Sequence, residues 1–472
     1  MGGILMQFNL LYSTSYNRRV HLPNGLHQFE IESFLKYIQE NGLDERGNCP
    51  DVKDALTVQN NQDPYVKRGP FISSDIARNN RFSFFGIDNL PPDDRKYIYP
   101  IELLHAPGIQ VSWGTIPKKV WNMVNEDRCI IVFDYEHEGK FDYHQFNHWW
   151  NYTWQIWKPF VKLENIYFLT GDLNCKIHIS DPDLRKQFLP MIHFVETYAI
   201  EAVTLLDKNL SHESHLGYIW TRHTIDDIDI ENKSKYFYCP MRNCEKDHRK
   251  ALGLYFEKHQ LWEDNNISFL KVGYQKGKYP LQFYNKPHAK EYEKTSLMKR
   301  LPKNLLSKLD ERKPVQFDTF DLPEEKVESF TSGFADNWDR YQECFLHIVS
   351  ETIFMEQKGI NNVFLSEKIF KPIVNLHPFI VFASRFTLRE LKKLGFKTFH
   401  PFINEEYDRI DNDELRFLKL LDELDKFRKR TPEELKEWWK SILPILKHNQ
   451  DLFYEIGRTE SRKSKWLKQA MK

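Results

Sequence analysis

The chain has 472 residues, with 67 basic and 67 acidic side chains, so its formal net charge is zero. This balance gives the whole chain no general attraction to nucleic acids or anionic membranes and leaves only local patches for such contacts. The length fits two or three domains, and the aromatic content of 15% supplies side-chain volume for large cores. Six cysteines are too few for a disulfide framework in this length, and we interpret them as reduced thiols.

Signals for secretion or membrane insertion are not recognisable in the sequence. Residues 1–6 lack the basic segment and long apolar core of a signal peptide. No apolar run reaches the roughly 20 residues of a membrane-spanning helix. We therefore expect a cytoplasmic protein without transmembrane anchoring.

Residues 1–234 are predicted to form an α/β domain. Residues 43–95 are polar and rich in Asn, Asp and Pro, which indicates loops and short elements. Elsewhere the hydrophobic pattern predicts strands at 6–11, 129–133 and 165–169, helical segments at 27–41, 117–125, 146–161 and 188–206, and an ordered segment at 108–113.

Polar side chains follow both of the buried strands in the middle of this domain. Asp134 and Glu138 come after the first strand, and Asp172 and Asn174 come after the second. Carboxyl ends of parallel strands share one edge of a sheet, so these residues are candidates for one wall of a cleft. Asp134 or Glu138 could then serve as a general base, and Asp172 and Asn174 could contact an acceptor. The alternative is that all four are ordinary polar loop caps.

An acidic pair in residues 211–235 has the spacing of a metal-binding motif. Asp227 and Asp229 flank Ile228 in a polar segment without a neighbouring strand end. We interpret the segment as a solvated linker and predict no metal site there.

Basic residues open a helix after the strand predicted at 236–239 and the turn predicted at 240–243. Arg242 lies in that turn, and His248 and Arg249 lie in the first helical turn. Backbone N–H groups and the helix dipole favour an anion at such a position, and the basic side chains would add charge. Basic side chains oppose the dipole at a helix N-terminus, which points to a bound anion. The alternative is a solvated basic helix start.

The lysine-rich segment 271–313, with interleaved Tyr and Phe, could contact a polyanion, although a solvated insertion is the interpretation we favour. Near the end of the chain, helices are predicted at 412–429, 432–447 and 449–472. We expect residues 446–472 to pack back across the junction between two domains.

The stretch 344–399 is predicted to form strand, loop, helix, strand, helix and strand in succession, with the last strand after residue 395. Strands are expected at 344–349 and 379–383, and a helix at 384–394 should end with Gly395 at its C′ position. Between the strands, Ser366 is a plausible N-cap of a helix that carries Glu367 in its first turn. Ligands of open α/β sheets bind at such strand ends and helix starts.

Two groups of glycosyltransferases resemble this stretch. Residues 349–352, 366–368 and 378–381 are similar in order and type to the donor-binding motif of the α-1,3-fucosyltransferase family. The chain also resembles phage-encoded glycosyltransferase-like proteins in four segments, at residues 134–139, 237–249, 367–372 and 395–399. It differs from these patterns at 240–241, where Leu-Asn is usual, and at 383–384, where fucosyltransferases have glycine.

The resemblance implies a GT-B-like fold, in which two Rossmann-like α/β domains face each other across a cleft. Residues 1–234 would bind the acceptor, and residues 235–445 would bind a nucleotide-sugar donor. This architecture works without a metal or a cofactor besides the nucleotide-sugar co-substrate.

The resemblance also implies roles for individual residues of the donor domain. Lys368 and Arg249 would neutralise the diphosphate, Glu367 would bind the ribose, and Glu351 would lie near the sugar. Lys371, one turn further along the same helix, belongs to the same donor-binding set.

We therefore expect a glycosyltransferase that moves a sugar to a hydroxyl acceptor, in the cytoplasm of a host cell if the protein is phage-encoded. One acceptor to consider is a hydroxymethylated pyrimidine in phage DNA, motivated by the lysine-rich segment. The alternatives are a surface or lipid-linked glycan as acceptor, or a nucleotide-sugar-binding protein that has lost turnover.

Overall fold

A computed structural model describes a large part of the chain, which divides into two compact units: residues 1–201 with 456–472, and residues 202–455. The domain boundaries predicted from the sequence, at residues 234 and 445, stay predictions. The described residues are 7–12, 81–86, 90, 95–102, 116–135, 143–192, 199, 202–203, 222–241, 246–269, 338–355 and 360–459.

The described part of the first unit contains a six-stranded parallel sheet with the strand order β2-β1-β3-β4-β5-β6. Its strands are β1 (Gln7–Tyr12), β2 (Arg81–Gly86), β3 (Tyr97–Glu102), β4 (Cys129–Tyr135), β5 (Ile166–Thr170) and β6 (Phe188–Pro190). Its helices are α1 (Lys118–Asn125), α2 (Tyr143–His148), α3 (Gln155–Trp157) and α4 (Leu184–Gln187).

Apolar runs account for the centre of this sheet. The first five residues of β4 are completely buried, as parallel strands covered on both faces require. The strands predicted at 129–133 and 165–169 are confirmed with small shifts, as are the strand predicted at 6–11 and the helix predicted at 117–125.

The helix predicted at 188–206 is wrong at its start, because Phe188 begins β6. Phe188 pairs with Phe168 of β5, and their rings stack at a centroid distance of 4.7 Å. Phe146 packs edge-on against both rings. Burial of these aromatic rings favours an edge strand at Phe188 over the helix that the sequence pattern predicts. The segments predicted at 27–41 and 108–113 lie outside the described residues.

The helical segment predicted at 146–161 runs instead from Tyr143 to Trp157. A π-helical turn, Trp149–Trp154, separates α2 from α3. The turn places Trp149 in the core, completely buried against Phe168.

The described part of the second unit contains a four-stranded parallel sheet with the order β10-β9-β7-β8. Its strands are β7 (Lys235–Met241), β8 (Asn266–Phe269), β9 (Cys344–Ser350) and β10 (Phe379–Phe382). Its helices are α5 (Asp247–Lys258), α6 (Trp338–Glu343), α7 (Glu367–Val374), α8 (Thr387–Lys393), α9 (Asp413–Arg428) and α10 (Pro432–Arg458). The chain is therefore an α/β protein with a parallel sheet in each unit.

Several predictions for this unit are confirmed, including the strands at 344–349 and 379–383 and Gly395, which has the positive φ of 100° expected at C′. The strand predicted after Gly395 is wrong: residues 396–399 form no strand, and the Phe399 N–H donates to the Glu405 carboxylate instead. The turn predicted at 240–243 is wrong at its start, because β7 continues through Met241. Pro240 is tolerated there since the pairing of β7 with β9 has already ended at Tyr238.

The two helices predicted at 432–447 and 449–472 are a single helix, α10, as far as the described residues extend. The polar residues that follow the predicted break are buried and bonded. Asn449 accepts from the Lys397 N–H and donates to the Lys397 carbonyl, and Gln450 donates to the carbonyls of Val374 and His223. None of the described helices combines the length and apolar character that a membrane span requires.

Candidate functional site

Two helices begin beside the carboxyl end of β9 in the second unit. Helix α5 follows β7, and helix α7 precedes β10, so both N-termini lie at the carboxyl edge of the parallel sheet. Glu351 comes directly after β9, and its N–H donates to the carbonyl of Phe382 at the end of β10. The candidate site is this edge, with the first turns of α5 and α7.

Arg249, in the first turn of α5, is bonded to the main chain at the end of β9. Its Nη2 donates to the carbonyls of Ser350 at 2.8 Å and Glu351 at 3.2 Å, and its Nε donates to the Ser350 hydroxyl at 3.3 Å. Only 4% of Arg249 is exposed. The guanidinium therefore fixes the strand end from inside.

His248 supports the same segment. Its Nε2 lies 3.1 Å from the Glu351 carbonyl, and its ring stacks on Phe354 at a centroid distance of 5.2 Å. Burial, together with the charge of Arg249, lowers the pKa of His248 well below its usual value. A neutral imidazole that donates from Nε2 fits this geometry.

Lys246, the residue before α5, reaches the segment after β9. Its Nζ donates to the carbonyl of Thr352 at 2.5 Å. Arg242, predicted beside it as an anion ligand, lies outside the described residues.

Glu351 is a buried carboxylate with three donors. Its Oε2 accepts from the Ser366 hydroxyl at 2.5 Å and the Thr352 N–H at 3.2 Å, and its Oε1 accepts from the Ser366 N–H at 3.2 Å. Its residue exposure is 0%, and burial raises its pKa. The carboxylate joins the end of β9 to the start of α7.

Ser366 is the N-cap of α7, as the sequence predicts. Its Oγ accepts from the N–H of Lys368 at 3.2 Å and lies 3.2 Å from the Lys368 ammonium. It therefore contacts Glu351 on one side and Lys368 on the other.

Glu367 and Lys368 form the open part of this edge. Their charged atoms are 2.7 Å apart, and 22% and 27% of the respective side chains are exposed. Burial acts to raise the pKa of Glu367, but the charges of Lys368 and Lys371 outweigh it and lower this pKa to about 2. Lys368 also donates to the hydroxyl of Thr352 at 3.4 Å. An ammonium that is held in place yet reaches solvent at a helix N-terminus can bind a phosphate or carboxylate.

The site thus brings together His248, Arg249, Glu351, Glu367 and Lys368, all of which were predicted from the sequence. Lys371 lies one turn further along α7 and acts on Glu367 through its charge. Sequence reasoning missed Lys246 and Thr352 as members of the site. Both residues lie in the resembling segments 237–249 and 349–352, but their mutual contact was not predicted, because it joins positions 106 residues apart.

The candidates of the first unit are only partly described. Asp134 lies in β4 opposite Leu169 in register, but its side chain is outside the described set, and so is Glu138. Asp172 is buried and accepts from the Tyr143 hydroxyl at 2.7 Å and the Asn174 N–H at 2.9 Å. Asp172 therefore closes the turn that follows β5.

Asp227 and Asp229 have local partners in the described structure. Asp227 accepts from the N–H and hydroxyl of Thr224 and caps the 3-10 helix Ile225–Asp227, while Asp229 accepts from the Asn232 N–H. Among the described residues, no group of three or more His, Cys, Asp or Glu side chains is arranged to hold a metal ion.

Comparisons with known proteins found no match, so a family can be suggested here from the motif resemblance alone. No protein-family model matches the sequence, and neither a curated protein nor a solved structure matches the chain.

Proposed function

We propose that the protein is a glycosyltransferase that binds a nucleotide-sugar donor at the carboxyl edge of the second sheet. The observation that carries this proposal is the partly exposed Lys368 ammonium at the N-terminus of α7, with Glu367 beside it. A cation, the positive end of a helix dipole and an adjacent carboxylate suit a ligand that has a diphosphate next to a ribose.

In this proposal, Lys368 binds the diphosphate and Glu367 accepts a hydrogen bond from the ribose. Breaking the bond between sugar and phosphate increases the charge on the diphosphate leaving group. A fixed cation stabilises that charge more in the transition state than in the ground state. Lys371 adds positive charge to the same helix, while Arg249 and His248 hold the strand end against which the ligand would rest.

The acceptor hydroxyl would lose its proton to Asp134 or Glu138, with Asp172 and Asn174 further along that sheet edge. Each unit contains a parallel sheet, as each domain of a GT-B fold does. The GT-B arrangement of the two domains is part of the proposal. Hydroxymethylated pyrimidine in DNA and a surface or lipid-linked glycan are both retained as acceptors.

The donor site is tested by thermal shift and calorimetry with UDP, GDP, ADP, CMP and their common sugar conjugates. A ligand at a hundredfold excess over its Kd stabilises the protein by about 2.7 kcal/mol. Lys368→Ala should weaken the tightest binder about ten- to hundredfold, because a charge-assisted hydrogen bond is lost. Lys393→Ala is the matched control, since Lys393 is an exposed lysine paired with Glu390 at 2.8 Å on helix α8.

Equal affinity of the wild type and Lys368→Ala for every ligand would contradict the proposed site. Binding without hydrolysis of the donor or transfer of its sugar would favour a protein that has lost turnover. Glu138→Gln and Asp134→Asn should keep donor binding, and loss of transfer in one of them would identify the base.

A further inference from the structure

The carboxylate of Glu351 cannot reach a ligand in the described structure. It has no exposed surface, and protein donors occupy both of its oxygens. The resemblance to fucosyltransferases implies that this residue lies near the sugar. Its burial points to a different role.

The direction of the hydrogen bonds between Glu351 and Lys368 is fixed by chemistry. The N–H and the ammonium of Lys368 can only donate, so Ser366 Oγ accepts from both. The single hydroxyl proton of Ser366 must then point to the Glu351 carboxylate, 2.5 Å away. The chain therefore runs from the Lys368 ammonium through the Ser366 hydroxyl to the Glu351 carboxylate.

We infer that Glu351 is a positioning residue, which orients the Ser366 hydroxyl so that its oxygen holds the Lys368 ammonium at the N-terminus of α7. A serine hydroxyl that only capped the helix could rotate among several acceptors. With Glu351 buried beside it, the hydroxyl has one orientation, and the ammonium meets a fixed oxygen. The use of that ammonium for a diphosphate rests on the proposed function, but its positioning by Glu351 and Ser366 does not.

The test measures how readily Lys368 is acetylated by acetic anhydride in the full chain without nucleotide. Peptide mass spectrometry gives the acetylation rate of Lys368 relative to Lys371, which serves as an internal reference on the same helix. Glu351→Met has no acceptor for the Ser366 hydroxyl, so in this variant the relative rate should rise about fivefold, the factor expected when one typical hydrogen bond is lost.

Two variants separate positioning from simple helix capping. Ser366→Thr keeps the hydroxyl and should retain the wild-type rate. Ser366→Gly keeps a tolerated N-cap but has no hydroxyl, so its rate should rise, and adding Glu351→Met should raise it no further, because Glu351 acts on Lys368 through that hydroxyl. Circular dichroism melts confirm which variants are folded, and Glu351→Ala takes the place of Glu351→Met if that variant does not fold.

An unchanged relative rate in folded Glu351→Met, or a further rise when Glu351→Met is added to Ser366→Gly, would overturn the positioning role whatever the donor screen gives. A raised rate in both Glu351→Met and Ser366→Gly, with no nucleotide bound by the wild type, would support the positioning role and refute the proposed function. The positioning role of Glu351 and the proposed function can therefore be refuted separately.

Discussion

Arg249 and Ser350 are separated by 101 residues in the sequence, yet the Nη2 atom of Arg249 lies 2.8 Å from the Ser350 carbonyl oxygen. The contact fixes the first turn of α5 to the last residue of β9. Because the guanidinium also bonds to the Glu351 carbonyl, one side chain satisfies two acceptors where the sheet ladder ends.

Arg249→Met should lower the free energy of unfolding by about 2–4 kcal/mol, since two buried carbonyls lose a charged donor. Urea denaturation measures the change. Arg458→Met removes an arginine from an exposed position on α10 and should change stability by less than about 0.5 kcal/mol. Similar effects of both substitutions would count against a supporting role for Arg249.

Glu367 should make stability depend on acidic pH. Its pKa is lowered from 4.5 to about 2 in the folded protein, so the folded state favours its ionised form. The resulting stabilisation is fully present above pH 4.5 and is lost as the pH falls toward 2. The difference in unfolding free energy between the wild type and Glu367→Gln should therefore shrink between pH 5 and about pH 2.5. A constant difference over this range would contradict the ion pair with Lys368.

Lys233 should give a slope of the same sign, but between neutral and alkaline pH. Its Nζ donates to the carbonyls of Tyr341, Gln342 and Cys344, and burial lowers its pKa from 10.5 to about 7. Between these values the unfolded chain binds the proton more tightly, so stability rises with pH. The wild type should gain stability relative to Lys233→Met from pH 7 to about pH 10. Urea titrations of both proteins at several pH values measure the slope, and parallel curves would contradict it.

Helix α8 should depend on a capping residue outside its own segment. The two carboxylate oxygens of Asp408 accept from the N–H groups of Leu388 and Arg389, while Phe386 at the helix start has a φ of 68°. Asp408→Ala should cost about 1–2 kcal/mol of unfolding free energy. Asp422→Ala, at an exposed carboxylate paired with Lys419, is the control and should have little effect.

The sequence predicted those features that local pattern determines. Apolar runs predicted β4, β5, β9 and β10, and the Ser366 cap and the C′ glycine at 395 were predicted from single residues. These predictions succeed because burial on both faces, N-capping and positive φ each restrict which residues are accepted.

Features that depend on distant contacts could not be predicted in this way. The start of β6 depends on Phe188 meeting Phe168, and the continuity of α10 depends on Asn449 meeting Lys397. The contacts of Arg249 and Lys246 likewise join segments about one hundred residues apart. A polar or aromatic residue alone does not specify which remote partner satisfies it.

The hydrogen bond from Gln450 of α10 to the His223 carbonyl brings together two distant parts of the second unit. Arg222 adds an ion pair with Asp451 at 3.2 Å and lies over the Tyr454 ring. These contacts connect residues 222–223 to the region near the end of α10, so unfolding of the end of this helix would also release that early segment.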